Sequence, residues 1–327
     1  MTVDFLATEE HFVDHLAPLW LGLPPEARGT FWATSGAALA RARHKDIRPT
    51  PVVARGHVNP VVVASYGDVK KARHYRSPRI ALLQHGAGQS YGGNPGVARH
   101  GSYSGGTDHE DVSLFLCPNR QSAARWQEAY PDVTVEEVGS PKVEHLPRRE
   151  RTDGMKPTIA ISAHFQCNIV PETRPAFGYF RAHLADLRKD YNVIGHAHPR
   201  ARRMLAPWYR RYGIPFVQDF EDVCRQADLY ICDNSSTIFE FAATGRPVVL
   251  LNAPWYRKNV NHGLRFWDMA TVGIQVDDPA RLADTVSCAL VDPRGIREER
   301  KRVSDLVFST VSGATALAVR AIEEWSK

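Results

Sequence analysis

Residues 228–252, DLYICDNSSTIFEFAATGRPVVLLN, constrain the fold of this chain more than any other stretch. Leu229 to Cys232 form a short apolar run, Asp233 and Asn234 interrupt it, and a helical pattern opens at Ser235 and Ser236. Ile238, Phe241 and Ala242 stand at i, i+3 and i+4, and Glu240 is placed away from that apolar face. Gly245 and Pro247 end the helix, and Val248 to Leu251 supply the next apolar run. The spacing predicts a strand, a turn, a helix and a second buried strand, which is a parallel βαβ unit. Its turn directs unpaired helical N–H groups at whatever lies beyond the strand ends, a place where phosphate binds well. Thr237 with Glu240 also fits a capping box, so the local pattern leaves a plain helix cap and a phosphate site both open.

The rest of the chain repeats this alternation. Residues 3–20 read as an amphipathic helix, and strands are expected at 30–34, 51–54, 61–64, 80–84, 112–116 and 133–138. The intervening helices are predicted over 36–44, 67–74 and 119–129. A charged, proline-flanked segment, PRRERTDGMKP from Pro147 to Pro157, has no apolar period and marks a boundary. Two domains follow, 1–150 and 151–327. The second carries strands at 158–162, 192–195, 216–217, 229–232, 248–251 and 273–276. Its helices fall at 174–189, 200–212, 220–226 and 280–290, and 297–325 is mostly helical. The fold class is α/β, with two Rossmann-like domains facing a central cleft and the last helix able to pack back on the first domain.

Composition narrows the function classes. No apolar run approaches the ~20 residues that span a bilayer, and the N-terminus MTVDFLATEEHF is too polar for a secretory signal, so a cytoplasmic location is expected. The five cysteines are scattered and never form a CxxC pair, which points to reduced thiols and away from zinc or a disulfide framework. No metal-ligand cluster is visible. A net charge of +5 suits phosphate ligands and is too small to argue for nucleic acid. Arg200, Arg202, Arg203, Arg210 and Arg211 surround Trp208 and Tyr209. A solvated face is the first interpretation of this basic helix. An anionic polymer, a peripheral membrane surface or nucleic acid is the alternative.

In an open parallel sheet, polar residues directly after a strand are the candidates for ligand contact. His85 follows the 80–84 strand, His196 and His198 follow 192–195, and Asp233 to Ser236 follow 229–232. After His85 runs a glycine-rich loop, HGAGQSYGGNPGVARHGSYSGG, in which Gln89, Tyr91 and Asn94 are candidate acceptor-side contacts. The loop contains GxGxxxGG, but no acidic residue ~20 positions later closes a βαβ unit and the loop is too long, which excludes a dinucleotide fingerprint.

In order along the chain, His85-Gly86, the CPNRQSAARWQEAYPDVTVEEVGSPKVEHL segment, His198-Pro199, DNSSTIFEFAATGRPVVLL, GLRFW and FSTVSGATALAVRAI carry a resemblance. From Ile80 onward the chain resembles the CDP-glycerol glycerophosphotransferases of teichoic-acid synthesis, which have the GT-B fold. The resemblance implies a transferase with a nucleotide-diphosphate donor, CDP or UDP in type, and a hydroxyl-bearing acceptor, without a further cofactor or metal. It implies His85 as the base, His198 at the donor phosphates, and Ser235 and Ser236 at the diphosphate. Arg265 is the basic side chain expected beside them. His196, Asn234, Thr237 and Glu240 complete the expected donor site. A nucleotide-sugar glycosyltransferase acting on a polymer or modified nucleobase, a sugar-nucleotide 2-epimerase and a non-catalytic nucleotide-binding module are the competing interpretations. After His85-Gly86 the chain departs from that family's usual Thr-Pro and basic residue.

Overall fold

The computed structural model describes residues 1–52, 58–87, 105–106, 108–148, 154–166, 174–256 and 265–327, leaving aside the side chains of 265–268. The chain divides into two compact units, one of residues 1–87, 95–145 and 308–327, the other of 88–94 and 146–307.

Unit 1 is built on β1 (Val3–Ala7), β2 (Arg28–Ala33), β3 (Thr50–Pro51), β4 (Val61–Val63), β5 (Ile80–Leu83), β6 (Val112–Cys117) and β7 (Thr134–Glu137). They form one sheet in the order β3-β2-β1-β4-β5-β6-β7, and every pair is parallel. Helices α1 (Glu10–Gly22), α2 (Gly36–His44), α3 (Tyr66–His74), α4 (Arg120–Ala129) and α5 (Pro141–Glu144) follow strands. The side chains at four strand-to-helix turns explain where the helices begin. Ser35, Ser65, Asn119 and Ser140 each accept the N–H three residues on, closing α2, α3, α4 and α5.

The segment 3–20, read as one helix, is a strand followed by a helix. Val3, Phe5 and Ala7 pack on one face of the sheet with Leu16 and Leu19 of α1, while Leu6 packs on the other with Val61, Val63 and Phe115. A central strand covered on both faces has no polar alternation, so its five residues merge into the helical period that follows.

Unit 2 carries β8 (Thr158–Ile161), β9 (Asn192–Gly195), β10 (Leu229–Cys232), β11 (Val248–Leu251) and β12 (Ile274–Val276) in the order β12-β11-β10-β8-β9, again all parallel. Its helices are α6 (Phe177–Asp186), α7 (Arg202–Arg211), α8 (Phe220–Gln226), α9 (Thr237–Ala242), α10 (Leu282–Val291) and α11 (Arg294–Val307). The residue pair 216–217 contributes an isolated bridge from Phe216 to Gly195.

The chain then returns to unit 1 with α12 (Ala314–Trp325). Ala318, Ile322 and Trp325 join the α1 face of the core. Glu144 accepts the N–H groups of Gly313 and Thr315, which fixes the start of α12. Gly139 has φ +76, and a Cβ there would lie 2.1 Å from the Thr310 carbonyl oxygen, so the returning strap requires glycine at this turn.

Candidate functional site

In unit 2 the polar residues gather at the C-terminal edge of the five-stranded sheet. Gly195 ends β9, and a Cβ there would meet the Tyr209 ring at 2.6 Å, so glycine lets α7 press directly on the strand. The buried Tyr209 hydroxyl donates to the carbonyls of Ile161 and His196, at 2.7 and 2.9 Å, and ties the ends of β8 and β9 together. His196 and His198, two residues apart, then take different surroundings. The His196 ring is buried, bonded through Nδ1 to the Val217 carbonyl at 3.1 Å, and packed against Phe220.

His198 is half-buried. Its Nδ1 accepts the Arg200 N–H at 3.2 Å, capping the short turn Pro199–Ala201. In the neutral ring that bond leaves the proton on Nε2, so the outer nitrogen is a donor suited to an anionic oxygen. Phe165 lies 4.6 Å from the His198 ring and 4.5 Å from the His164 ring, with the Arg200 guanidinium 5.1 Å from its centre. One aromatic ring therefore gathers two imidazoles and a permanent cation.

The neighbouring turn after β10 is held from below. Asp233 is fully buried, and its two carboxylate oxygens accept the N–H of His164 at 2.6 Å and of Ala176 at 2.9 Å. Burial pushes its pKa up to about 6, opposed by those backbone bonds. Ser235 is buried and bonds the Thr237 hydroxyl at 2.9 Å, and Thr237 in turn bonds Tyr230 at 3.0 Å. Ser236 and Thr237 are half-buried. α9 is short and buried all round: Ile238, Phe239, Glu240, Phe241 and Ala242 are all inside, so Glu240 does not lie on a polar outer face. Thr237 is the first helical residue and not the cap, because Ser236 precedes it in helical backbone, and the expected capping box does not form. Asn234 is also buried. Arg265 begins the turn Arg265–Val272, and its side chain lies outside the described residues, as do Gln89, Tyr91 and Asn94.

In unit 1 the corresponding edge holds His85, half-buried after β5. Its Nδ1 donates to the Ala64 carbonyl, which in the neutral ring puts the basic lone pair on Nε2. Helix α1 lays Phe12, His15 and His11 against it, with ring centres 5.0, 5.8 and 6.4 Å away. His11 and His15 stand one helical turn apart, which is why both face the same ring. Burial holds the His15 pKa well below the ordinary value, reinforced by Lys142, His85 and His11. His11 lies 3.6 Å from Glu9. The same edge carries Asp68, fully buried in the first turn of α3, where one oxygen accepts the Thr8 hydroxyl and the other has no partner. Burial raises Asp68 to about 7, aided by the charge of Glu9 and opposed by bonds from Thr8 and Ser65.

A titration prediction follows for Asp68. Its folded pKa stands above the unfolded value, so the folded protein binds more protons between about pH 4 and 7 and loses stability as pH rises through that window. Asp68→Asn keeps an acceptor for Thr8 and removes the charge. Its stability relative to the parent should therefore rise across that window, by at most about 4 kcal/mol. Denaturant melts at pH 4 and pH 8 check this, and an unchanged difference between the two proteins would contradict it.

Residues 172–321 match the family model of CDP-glycerol:poly(glycerophosphate) glycerophosphotransferase. The match runs through His196, His198, the Asp233 to Thr237 turn and Arg265, and supports a glycosyl- or glycerophosphotransferase enzyme. No curated protein matches the chain. Among solved structures, the wall teichoic acid polymerase TagF, in a soak with CDPG, is similar with TM-score 0.66 at 13% identity, covering 99% of this chain and 88% of that one. The S. aureus MnaA–UDP structure is similar with TM-score 0.67 at 13% identity, covering 99% and 97%. The UDP-GlcNAc 2-epimerase of Neisseria meningitidis bound to UDP-GlcNAc gives 0.64 at 12%, covering 99% and 100%. At such identity these likenesses establish the fold, which is GT-B-like.

The structure thus brings His198 and the β10–α9 turn to one sheet edge in unit 2 and puts His85 at the matching edge of unit 1. Sequence reasoning missed His164, although it too sits just past a strand, and it missed His11, His15 and Asp68. Those three lie within helices, where a polar residue gives no local sign of facing a sheet edge. Among the described residues no three His, Cys, Asp or Glu side chains are grouped to hold a metal ion, and no helix is long and apolar enough to cross a membrane. Arg203, Arg210 and Arg211 of α7 are exposed, while Leu205 and Tyr209 are buried.

Proposed function

We propose that the protein transfers a glycerophosphate or glycosyl group from a nucleotide-diphosphate donor to an acceptor hydroxyl, with CDP-glycerol the first donor to test. The observation that carries this reading is that half-buried His198 and the β10–α9 turn share one sheet edge, within the segment matching the glycerophosphotransferase family. The donor's diphosphate would lie against His198, Ser236, Thr237 and Arg265, with Ser235 and Asp233 shaping the turn beneath it. His85 would take the acceptor proton on Nε2. For CDP-glycerol, the acceptor oxygen then bonds to the glycerol-bearing phosphorus as its bridge to the cytidylyl phosphate breaks, and CMP departs with that electron pair. Hydroxyls, Arg265 and the His198 N–H meet the charge that builds on the leaving phosphate. No metal or further cofactor enters this reading.

The second reading is a sugar-nucleotide 2-epimerase, favoured by the likeness to the UDP-GlcNAc 2-epimerase of Neisseria meningitidis over 99% of this chain and 100% of that one. Incubation with CDP-glycerol or UDP-GlcNAc in EDTA, with product analysis, separates the two. The transferase reading expects CMP release that depends on an added polyol-phosphate acceptor and survives chelation. An altered sugar still attached to its nucleotide would establish the epimerase instead, and activity lost to EDTA and restored by magnesium would overturn metal independence.

A further inference from the structure

Unit 2 has a second polar concavity, at the opposite edge of its sheet from His198 and Ser235. This groove encloses about 480 Å³ and is lined at its floor by Thr158 and Asn192, the first residues of β8 and β9. Lys156, Arg188 and Arg225 surround it, with Tyr191 at the side. From there the groove follows the outer edge of β9, where Val193, Ile194 and Pro215 also line it, and it does not include His196, His198 or the β10–α9 turn.

The charge balance around it is one-sided. No carboxylate lines the groove among the described residues. Four nearby acids are engaged with other groups: Asp186 with Lys189 at 2.7 Å, Asp222 and Glu221 with Arg225, and Asp228 with the Thr158 N–H at 2.8 Å; a fifth, Asp190 next to Tyr191, is exposed and does not line the groove. Lys156 contacts only a carbonyl oxygen, that of Lys189 at 3.5 Å. The Arg188 guanidinium makes no hydrogen bond or ion pair with a described residue. A planar fork of donors and an ammonium line the same groove as Thr158 and Tyr191, and such a set can hold the several oxygens of a phosphate group. The groove is open along the sheet edge and suits a chain of such groups.

We propose that this groove binds a chain of consecutive phosphate groups, separately from the donor edge. The site does not depend on which group the enzyme transfers, because binding is measured without turnover. The test is isothermal titration of the full chain with inorganic tripolyphosphate and, in parallel, with a synthetic glycerophosphate oligomer, each with and without saturating CDP. Binding of either probe that persists in CDP and weakens about tenfold in both Arg188→Gln and Lys156→Gln supports the site. The probe that binds more tightly distinguishes an oligophosphate from a phosphodiester chain. Both side chains are at the surface, and melting curves matching the parent show that the variants fold. Three results would overturn the proposal: competition of the probe by CDP, affinity unchanged in both variants, or no binding of either phosphate probe, whether or not a single-stranded oligonucleotide binds.

Discussion

His85→Ala is expected to lower turnover by ~10²–10⁴ while leaving nucleotide affinity unchanged, the loss typical of a positioned general base. The expectation rests on orientation. Nδ1 of His85 is bonded to the Ala64 carbonyl, so the neutral ring offers its lone pair through Nε2, and Phe12 and His15 hold the ring edge-on. The groups proposed for the donor all belong to unit 2, so removing His85 should not touch them. His85→Gln provides a second variant that fills more of the space against Phe12 and cannot act as a base at neutral pH. Single-turnover rates and nucleotide titration on both variants, with melting curves beside them, read the two effects apart. If turnover of saturated enzyme survived in both variants, or if nucleotide binding vanished with it, His85 would not be the base.

The second large effect is expected at Asp233, where the change should be structural. Asp233→Ala removes the acceptor for two buried backbone N–H groups, those of His164 and Ala176, from two separate segments. Each orphaned N–H costs about 1–3 kcal/mol, partly offset by no longer burying a carboxylate, so a net loss of about 2–5 kcal/mol is expected. Nucleotide binding should weaken with it. His164 and Phe165 lie on one of the released segments, and Phe165 is the ring that His198 and Arg200 pack against. Chemical denaturation and nucleotide titration of the variant check both consequences. A variant as stable as the parent with intact binding would show that the clamp is dispensable.

The sequence by itself determined the parallel α/β architecture. Leu229 to Cys232 and Val248 to Leu251 are strands with the boundaries their apolar runs predicted, because short buried runs flanked by turn residues have few other ways to satisfy their backbone. The same logic located α2 and α8 to the residue, since an apolar period is a local signal. It also named His85, His198 and the serine turn as strand-end residues, where sheet topology fixes the edge.

Tertiary structure decided what local pattern cannot encode. β1 was hidden inside a helical period because a strand buried on both faces shows no alternation. The difference between His196, buried against Val217 and Phe220, and His198, turned outward over Phe165, depends on residues 20 or more positions away. Asp233 became a clamp only when β8 and α6 arrived beside it, and Glu240 became buried only when its short helix was covered on every side. Side-chain roles of this kind are set by long-range packing, and a single strand–turn–helix carries no information about the partners that will surround it.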